Sequence, residues 1–278
     1  MGTILQLQHG NISSLIAALG PEDAVVHNLE NWSLKPLQDQ SDVPGNQTLV
    51  RALAREFARM DIDEAFAPNV TRGSGNIIDT KDLLDMIWLD DPHVLHRNQY
   101  IHADGLFLGL GQAFVVSAGG CGIIVAGDGE HLCVAHAGRD SLIARSAVIG
   151  KPTRKHISVV DSIIEQFLWR GTTPRNITMT MLFSIPARGF EHSGDHPVHG
   201  AYNRALADFI GDRWPGGVLR EGDKTFLDLD QVFVEQARQA GVTKAWAAHS
   251  LAEHPRLAHT RDGKSPDRRN LVIVKRES

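Results

Sequence analysis

The sequence predicts a fold that mixes β-sheet with α-helix, and three observations predict it. Residues 105–137 form short apolar runs separated by glycine, a pattern typical of sheet strands. After residue 141, helical patterns alternate with a β-branched run at 177–185. In the first third, only residues 47–60 show apolar side chains at helical spacing, among segments rich in Asn, Asp, Pro and Gly. We therefore expect one clear helix among loops there.

The individual elements follow from these patterns. The runs LFLGLG, AFVVSAGG, CGIIVAG and HLCVAHAG each predict a strand, and Asp128-Gly129 predicts a hairpin turn between the last two. Helices are predicted over 141–149, 159–169, 201–214 and 229–240, the last closed by Gly241, and strands over 177–185, 244–249 and 270–275. Because no repeat or linker interrupts the chain, we expect residues 1–278 to form a single domain.

Composition excludes several classes of function. The 278 residues carry 28 Lys+Arg against 33 Asp+Glu, a net charge of −5, and the basic residues are scattered, which argues against nucleic-acid binding. No apolar stretch is long enough to predict a membrane span. With only two cysteines and no basic, apolar start typical of a secretion signal, we expect a cytoplasmic protein. We expect its partner to be a small-molecule substrate, whereas its oligomeric state cannot be predicted.

The block at residues 115–138 is the strongest candidate for a site. It contains Cys121 and, fifteen positions later, His136, which a hairpin could bring together. A neighbouring cysteine and histidine can act as a nucleophile with its base, or as soft ligands for zinc or copper. Cys121 and Cys133 could equally be small core residues, as buried thiols often are. Glycines flank Cys121 on both sides, a density typical of a bulge or of close backbone approach to a ligand.

Two further clusters have less specific patterns. The stretch 259–270 contains three arginines that could recognise phosphate or carboxylate, although a solvated turn explains the same residues: Arg261, Arg268 and Arg269. Three histidines at 192–199 resemble a metal-binding loop, but Gly194 and Pro197 favour a turn of undefined geometry, so we do not expect a metal there. The phosphate-binding GxxxxGK[ST] and the HExxH, paired CxxC and GxSxG motifs are absent.

Residues 103–274 resemble the laccase-domain family, whose members are called polyphenol oxidases, purine nucleoside phosphorylases and peptidoglycan editing factors. The resemblance rests on short motifs in the family's order. These are Ala103-Asp104, then Ser117 to Gly120 at a TADC-like strand end, His136-Ala137-Gly138, Ser184-Ile185 with Phe190-Glu191, the helix and turn at 227–242, and His249-Ser250 followed by Arg261-Asp262-Gly263 and Arg268 or Arg269. Residues 1–102 are the divergent part.

The resemblance implies an α+β fold of mixed β-sheets flanked by helices, similar to cysteine hydrolases of the deamidating-toxin type. It also implies zinc or copper held by an N-terminal histidine, the TADC cysteine and the HAGW histidine. Only His136 matches plainly, Cys121 lies one residue beyond the cysteine position, and the third ligand is unknown. A one-residue slip turns a strand side chain to the opposite face, which a bulge at Gly119-Gly120 would correct.

The resemblance implies metal-assisted purine nucleoside phosphorolysis or deamination. In that hypothesis the metal ligands are His136 and Cys121, the catalytic residues are Cys121, His136, Arg261 and Glu191, and the substrate is bound by Arg268, Arg139 and Ser184. Two alternatives remain open. One is a metal-free enzyme with altered cysteine and histidine chemistry, so that no cofactor is needed, and the other is a non-catalytic binder of a small molecule or partner. Laccase activity is not expected, because the chain lacks an ordered His-x-His series.

Overall fold

The computed structural model describes residues 2–26, 29, 32–34, 37, 44–70, 74–83, 86–90, 92–97, 100–151, 155–258 and 269–277. The helices over these residues are α1 (Pro21–Val26), α2 (Pro44–Met60), α3 (Arg139–Leu142), α4 (Arg145–Val148), α5 (Val159–Trp169), α6 (Gly200–Arg213) and α7 (Leu229–Gln239). The strands are β1 (Thr3–His9), β2 (Ile12–Leu19), β3 (Glu64–Phe66), β4 (Ile77–Asp79), β5 (Met86–Asp90), β6 (His93–His96), β7 (Gly105–Leu108), β8 (Ala113–Ala118), β9 (Gly122–Gly127), β10 (Leu132–Ala137), β11 (Thr178–Leu182), β12 (Val218–Glu221), β13 (Lys224–Leu227), β14 (Lys244–Ala248) and β15 (Asn270–Arg276).

The strands form two large mixed sheets and one small hairpin. A seven-stranded sheet has the order β1-β2-β15-β8-β3-β6-β5, and a six-stranded sheet has the order β14-β11-β9-β10-β7-β4. Most neighbours are antiparallel, but β3 pairs in parallel with β6 and β8, β4 with β7, and β11 with β14. The α+β fold with mixed sheets, expected from the sequence, is confirmed.

Alternation along the central strands shows how the sheets are layered. In β9, Ile123 and Val125 join a cluster that also contains Val272 of β15, whereas Ile124 joins a cluster with Phe167 of α5. Because successive side chains point to opposite faces, one face of the six-stranded sheet packs on the seven-stranded sheet and the other on helices.

Helices cover the outer faces of both sheets. α2 packs on the seven-stranded sheet through Leu53 and Phe57, while α5, α6 and α7 share one cluster with the six-stranded sheet. The result is a four-layer α/β/β/α arrangement in which the strands of both sheets are largely buried. None of the helices, over the residues the structure describes, has the length and apolar character needed to cross a membrane.

Some of the elements predicted from the sequence are present as expected, and others differ. The hairpin at Asp128-Gly129, the four strands of 105–137 and the helix 159–169 are confirmed. The expectation of one helix among loops in the first third was wrong, because this region contains β1 to β6 and α1 as well as α2. The predicted helix 141–149 is divided into α3 and α4. The strand 177–185 ends at Leu182, since Phe183 has a left-handed φ of 59°.

Candidate active site

Cys121 and His136 meet at one end of the β9–β10 hairpin. In this hairpin His136 lies opposite Ile123, and Ala137 lies opposite Gly122. Cys121, directly before β9, is therefore level with the end of β10. Gly120 has φ +114°, a conformation that L side chains rarely adopt. This glycine changes the direction of the chain after β8, and the Cys121 thiol hydrogen-bonds with the imidazole.

The glycine that follows β10 leaves the space that these two side chains occupy. A Cβ at Gly138 would lie 2.8 Å from His136 Cε1 and 3.2 Å from both His136 Nε2 and Cys121 Sγ. Real Cβ atoms essentially never come within 3.0 Å of a heavy atom of another residue that is not a chain neighbour. Gly138 is therefore required by close approach to the site.

A buried carboxylate lies on the other side of the imidazole. Asp104 is fully buried, and its Oδ1 lies 3.7 Å from His136 Nδ1. The Ser141 hydroxyl bridges the two groups, donating to Asp104 Oδ1 at 3.1 Å and lying 3.3 Å from Nδ1. Asp104 Oδ2 accepts from the Gly75 amide at 2.6 Å and the Ser74 hydroxyl at 3.1 Å. Nδ1 is thus directed towards Ser141 and Asp104, which leaves Nε2 for the thiol.

The electrostatic surroundings favour a charged imidazole. Burial alone would lower the pKa of His136, but the negative charge of Cys121, the hydrogen bonds to Asp104 and Cys121, and the charge of Asp104 together raise it to about 10. An imidazolium next to a thiol favours the thiolate, which is the nucleophilic form of cysteine. The arrangement is therefore suited to a thiolate–imidazolium pair at neutral pH.

A cavity of about 420 Å³ opens in front of this pair. Its walls combine the end of β8, the Cys121 turn, the start of α3, and side chains from Ile185, Phe190, Leu229 and Arg269. Cys121 is partly exposed to it and His136 is 8% exposed. This size suits a small molecule rather than a macromolecular segment.

Arg139 places a positive charge at the cavity wall. Its Nε donates to Asp140 Oδ1 at 2.7 Å, and its guanidinium lies 5.6 Å from the centre of the Tyr202 ring. The buried His192 contacts the same guanidinium, with its Nε2 3.2 Å from Nη1. These contacts hold a cation beside Cys121, whose charge in turn acts on Arg139.

Two of the residues expected in the site lie outside the cavity wall. The Ser184 hydroxyl donates to Asp230, so it positions the segment before Ile185 rather than facing the cavity. The Glu191 carboxylate lies 3.7 Å from Lys224 Nζ in a half-exposed ion pair. Neither position supports the substrate-binding and catalytic roles expected for them.

The remaining residues that the sequence singled out fall into three groups. Arg261 and Arg268 lie outside the described residues, whereas the neighbouring Arg269 lines the cavity. Cys133 lies in the core, where burial raises its pKa far above the usual value, so it is unsuited to a chemical role. His196 and His199 stack on each other at 4.8 Å, and His196 Nδ1 accepts from the His199 amide.

A catalytic zinc or copper ion requires more protein ligands than Cys121 and His136 alone. A catalytic zinc needs three protein ligands, and among the described residues no third histidine, cysteine or carboxylate completes a group with Cys121 and His136 in which all ligand atoms lie within 4.8 Å of one another. Val70, which also lines the cavity, has an apolar side chain that cannot serve as a ligand. Within the described part of the chain, one group has three ligand atoms within 4.8 Å of one another, His249, Glu253 and His254, and it does not line the cavity. The described cavity residues therefore supply two of the three ligands that the expected metal requires.

Comparisons with known proteins give a fold but no named activity. No family model and no curated protein matches the sequence. Similar solved structures are NMB0706 of Neisseria meningitidis, described as a DUF152 protein (TM-score 0.64, 14% identity, 99% of both chains), the hypothetical protein YfiH of Bacillus licheniformis (0.65, 13%, 99% of this chain and 97% of that one), and YlmD of Geobacillus stearothermophilus (0.62, 14%, 100% of both). The chain therefore has the fold of NMB0706, YfiH and YlmD, and this shared fold supports the resemblance to the laccase-domain family that the sequence indicates.

Proposed function

We propose that the protein is a cysteine-dependent enzyme that cleaves an amide or related acyl bond in a small polar substrate. The observation that carries the proposal is the continuous arrangement of Cys121, His136, Ser141 and the buried Asp104, the first three of which line a cavity. A nucleophile next to a base, with that base oriented by a third group, is the arrangement required for covalent acyl transfer. It corresponds to the metal-free alternative of the sequence analysis.

In the proposed reaction the Cys121 thiolate attacks the carbonyl carbon of the substrate and forms a carbon–sulfur bond. The carbon–nitrogen bond breaks, and the leaving amine takes the proton from His136 Nε2. Neutral His136 then accepts a proton from water, whose oxygen attacks the thioester carbon and releases the carboxylic acid. The carbon–sulfur electron pair returns to Cys121. Ser141 and Asp104 keep Nδ1 protonated and oriented throughout, so Nε2 is the nitrogen that exchanges protons.

Charge at the cavity wall supports a polar substrate with an anionic group. Arg139 lies beside Cys121 in an ion pair with Asp140, which also lines the cavity, so the net positive charge of the wall comes from Arg269 in the segment before β15. Guanidinium groups recognise carboxylate and phosphate through paired hydrogen bonds. The same cavity is also lined by apolar side chains, those of Ile185, Phe190 and Leu229.

Thioester trapping tests the proposal. We expect a small activated ester, p-nitrophenyl acetate, to give a burst of nitrophenol and an acetyl adduct on Cys121 that hydroxylamine removes. Cys121→Ser should abolish the burst and His136→Ala should reduce it by at least about tenfold, while Cys133→Ser serves as the matched control. A burst that is unchanged in Cys121→Ser would contradict the proposal, as would the absence of any adduct. The absence of any adduct would favour a non-catalytic binder, whereas an unchanged burst would show that a residue other than Cys121 is acylated.

The second candidate is metal-assisted purine nucleoside phosphorolysis or deamination. It is favoured by one observation, that sulfur and imidazole side by side are also a donor pair for zinc or copper. Metal content per chain separates the candidates. Near-stoichiometric zinc or copper that is lost in both Cys121→Ser and His136→Ala would favour the nucleoside reaction, whereas an adduct formed by metal-free protein would favour acyl transfer.

A further inference from the structure

A second cavity adjoins the one that contains Cys121. Its volume is about 220 Å³, and Val70, Ser117 and Arg269 line both cavities. Arg97 lines only the second. No aspartate or glutamate is among the described residues of its wall, which includes two arginines.

Arg97 is a buried cation without a counter-ion in the described part of the chain. The residue is 8% exposed, and its Nη1 makes a long hydrogen bond of 3.4 Å to the Ala67 carbonyl. The Nε of Arg97 is buried and has no hydrogen-bond partner in the described part of the chain. Burial lowers the pKa of Arg97 to about 10, so the group is still charged at neutral pH.

Such a group is unfavourable for folding. Removing a cation from water costs several kcal/mol unless an anion or several good hydrogen bonds compensate it. One long hydrogen bond does not compensate it. A buried, charged side chain that faces a cavity is instead suited to an anion that arrives with a ligand.

We propose that the second cavity is a subsite for the anionic end of the substrate, a phosphate or carboxylate group, which Arg97 binds from within and Arg269 binds at the junction with the Cys121 cavity. This proposal deepens the proposed function and relies on it for the reaction at the other end of the substrate. It restricts the substrate class to small acyl compounds that carry a negative charge on the side away from the scissile bond.

Anion binding can be measured without turnover, in the Cys121→Ala protein. We expect inorganic phosphate or succinate, at constant ionic strength, to raise its melting temperature. A response to phosphate alone would assign a phosphate group, and a response to succinate alone a carboxylate group. Because Cys121 is absent, failure of thioester trapping leaves this result unaffected, and failure of anion binding leaves the trapping result unaffected.

Arg97→Met, made in the same Cys121→Ala protein, provides the decisive variant. We expect it to lose the anion response and, without anion, to melt about 2–4 °C higher, because an uncompensated buried charge has been removed. Arg188→Gln is the matched control, since Arg188 is an exposed arginine paired with Glu221, and it should keep the response. The proposal would be overturned if the Cys121→Ala protein with Arg97 intact responded to neither anion. It would also be overturned if the Arg97→Met variant kept the full response. A lower melting temperature in Arg97→Met would also overturn it, by assigning Arg97 a structural role.

Discussion

At the scale of single residues, the site depends on the absence of a side chain at Gly138 as much as on the side chains that are present. In Gly138→Ala, the new Cβ would lie 2.8 Å from His136 Cε1 and 3.2 Å from Cys121 Sγ, so the contact between the imidazole and the thiol has to change. We expect the burst of acyl transfer to fall by at least about tenfold while the protein stays folded, since a displacement of about 1 Å has effects of this order.

Gly211→Ala is the control for that change. Gly211 lies in α6 with no atom within 4 Å of the added Cβ, and alanine favours a helix interior. This variant should keep full activity and be slightly more stable. Equal activity in Gly138→Ala and the wild-type protein would contradict the close approach described for His136.

His9 gives a pH dependence that is separate from catalysis. Burial lowers its pKa to about 4, against a smaller opposing contribution from the Thr178 backbone, so the folded protein holds a neutral imidazole. The unfolded chain takes up a proton below about pH 6.5 and the folded chain does not until about pH 4. The contribution of His9 is therefore present above pH 6.5 and is lost as the pH falls through this window, by about 3 kcal/mol in all.

His9→Leu isolates this contribution. The difference in unfolding free energy between wild type and His9→Leu, from urea titrations at several pH values, should change across that window and be flat above it. The two proteins have to be compared because Asp230 also affects stability over similar pH values. Burial raises the pKa of Asp230 to about 6, so its effect on stability has the opposite sign to that of His9, and subtracting one protein from the other removes it. A difference that does not vary with pH would show that His9 is not a buried neutral imidazole.

Sequence reasoning at this scale identified some of the site and not the rest. The spacing of Cys121 and His136 in a hairpin was sufficient to bring them together. Asp104 was noted only as part of the Ala103-Asp104 motif, and Ser141 only as a residue that follows the His136-Ala137-Gly138 motif. Neither lies in a local pattern that indicates burial. Arg97 could not be found, because nothing in the sequence shows that a particular arginine lacks a counter-ion.

At the scale of elements, the turn at Gly120 determines which way Cys121 faces. Gly120→Ala places a side chain at φ +114°, and we expect a loss of stability of about 1–2 kcal/mol together with slower alkylation of Cys121. Gly222→Ala is the matched control, because it also has a positive φ, of 61°, and open space around it, in the β12–β13 hairpin. It should lose similar stability and keep the alkylation rate. Equal alkylation in both variants would contradict a positioning role for Gly120.

The elements that the sequence predicted share a strong local pattern. β8, β9 and β10 are buried apolar runs bounded by glycine, and α5 has a clear helical period. The missed strands have weaker signals for physical reasons. β1 alternates between half-buried and exposed residues at a sheet edge, and β3 and β4 have three residues each, which is too short to establish a period.

At the scale of the whole molecule, the four-layer arrangement predicts that both faces of β9 carry stability. Ile123 lies between the two sheets and Ile124 under the helices, and both are fully buried. We expect Ile123→Ala and Ile124→Ala each to cost about 2–5 kcal/mol in urea unfolding. Ile4→Ala, on a residue of β1 that is 51% exposed, should cost less than about 0.5 kcal/mol. A small effect at either buried site would contradict the layering.

The same layering explains why the fold class was predictable and the site geometry was not. Local alternation and helical period are enough to indicate mixed sheets with helices. The cavity, in contrast, joins Ser117 of β8, His136 of β10 and Leu229 of α7, which are brought together only when both sheets and a helix have packed. No local pattern encodes that contact.

The pH profile of Cys121 alkylation by iodoacetamide, followed by peptide mass spectrometry, is the most direct test of the central claim that Cys121 and His136 form a thiolate–imidazolium pair. Because the pKa of His136 is raised to about 10, the pair should persist from neutral pH up to about pH 9, with a nearly constant rate. In His136→Ala the rate should fall at least about tenfold at neutral pH and rise with pH, as for an ordinary thiol. A wild-type rate that rises with pH in the same way as that of His136→Ala would contradict the account.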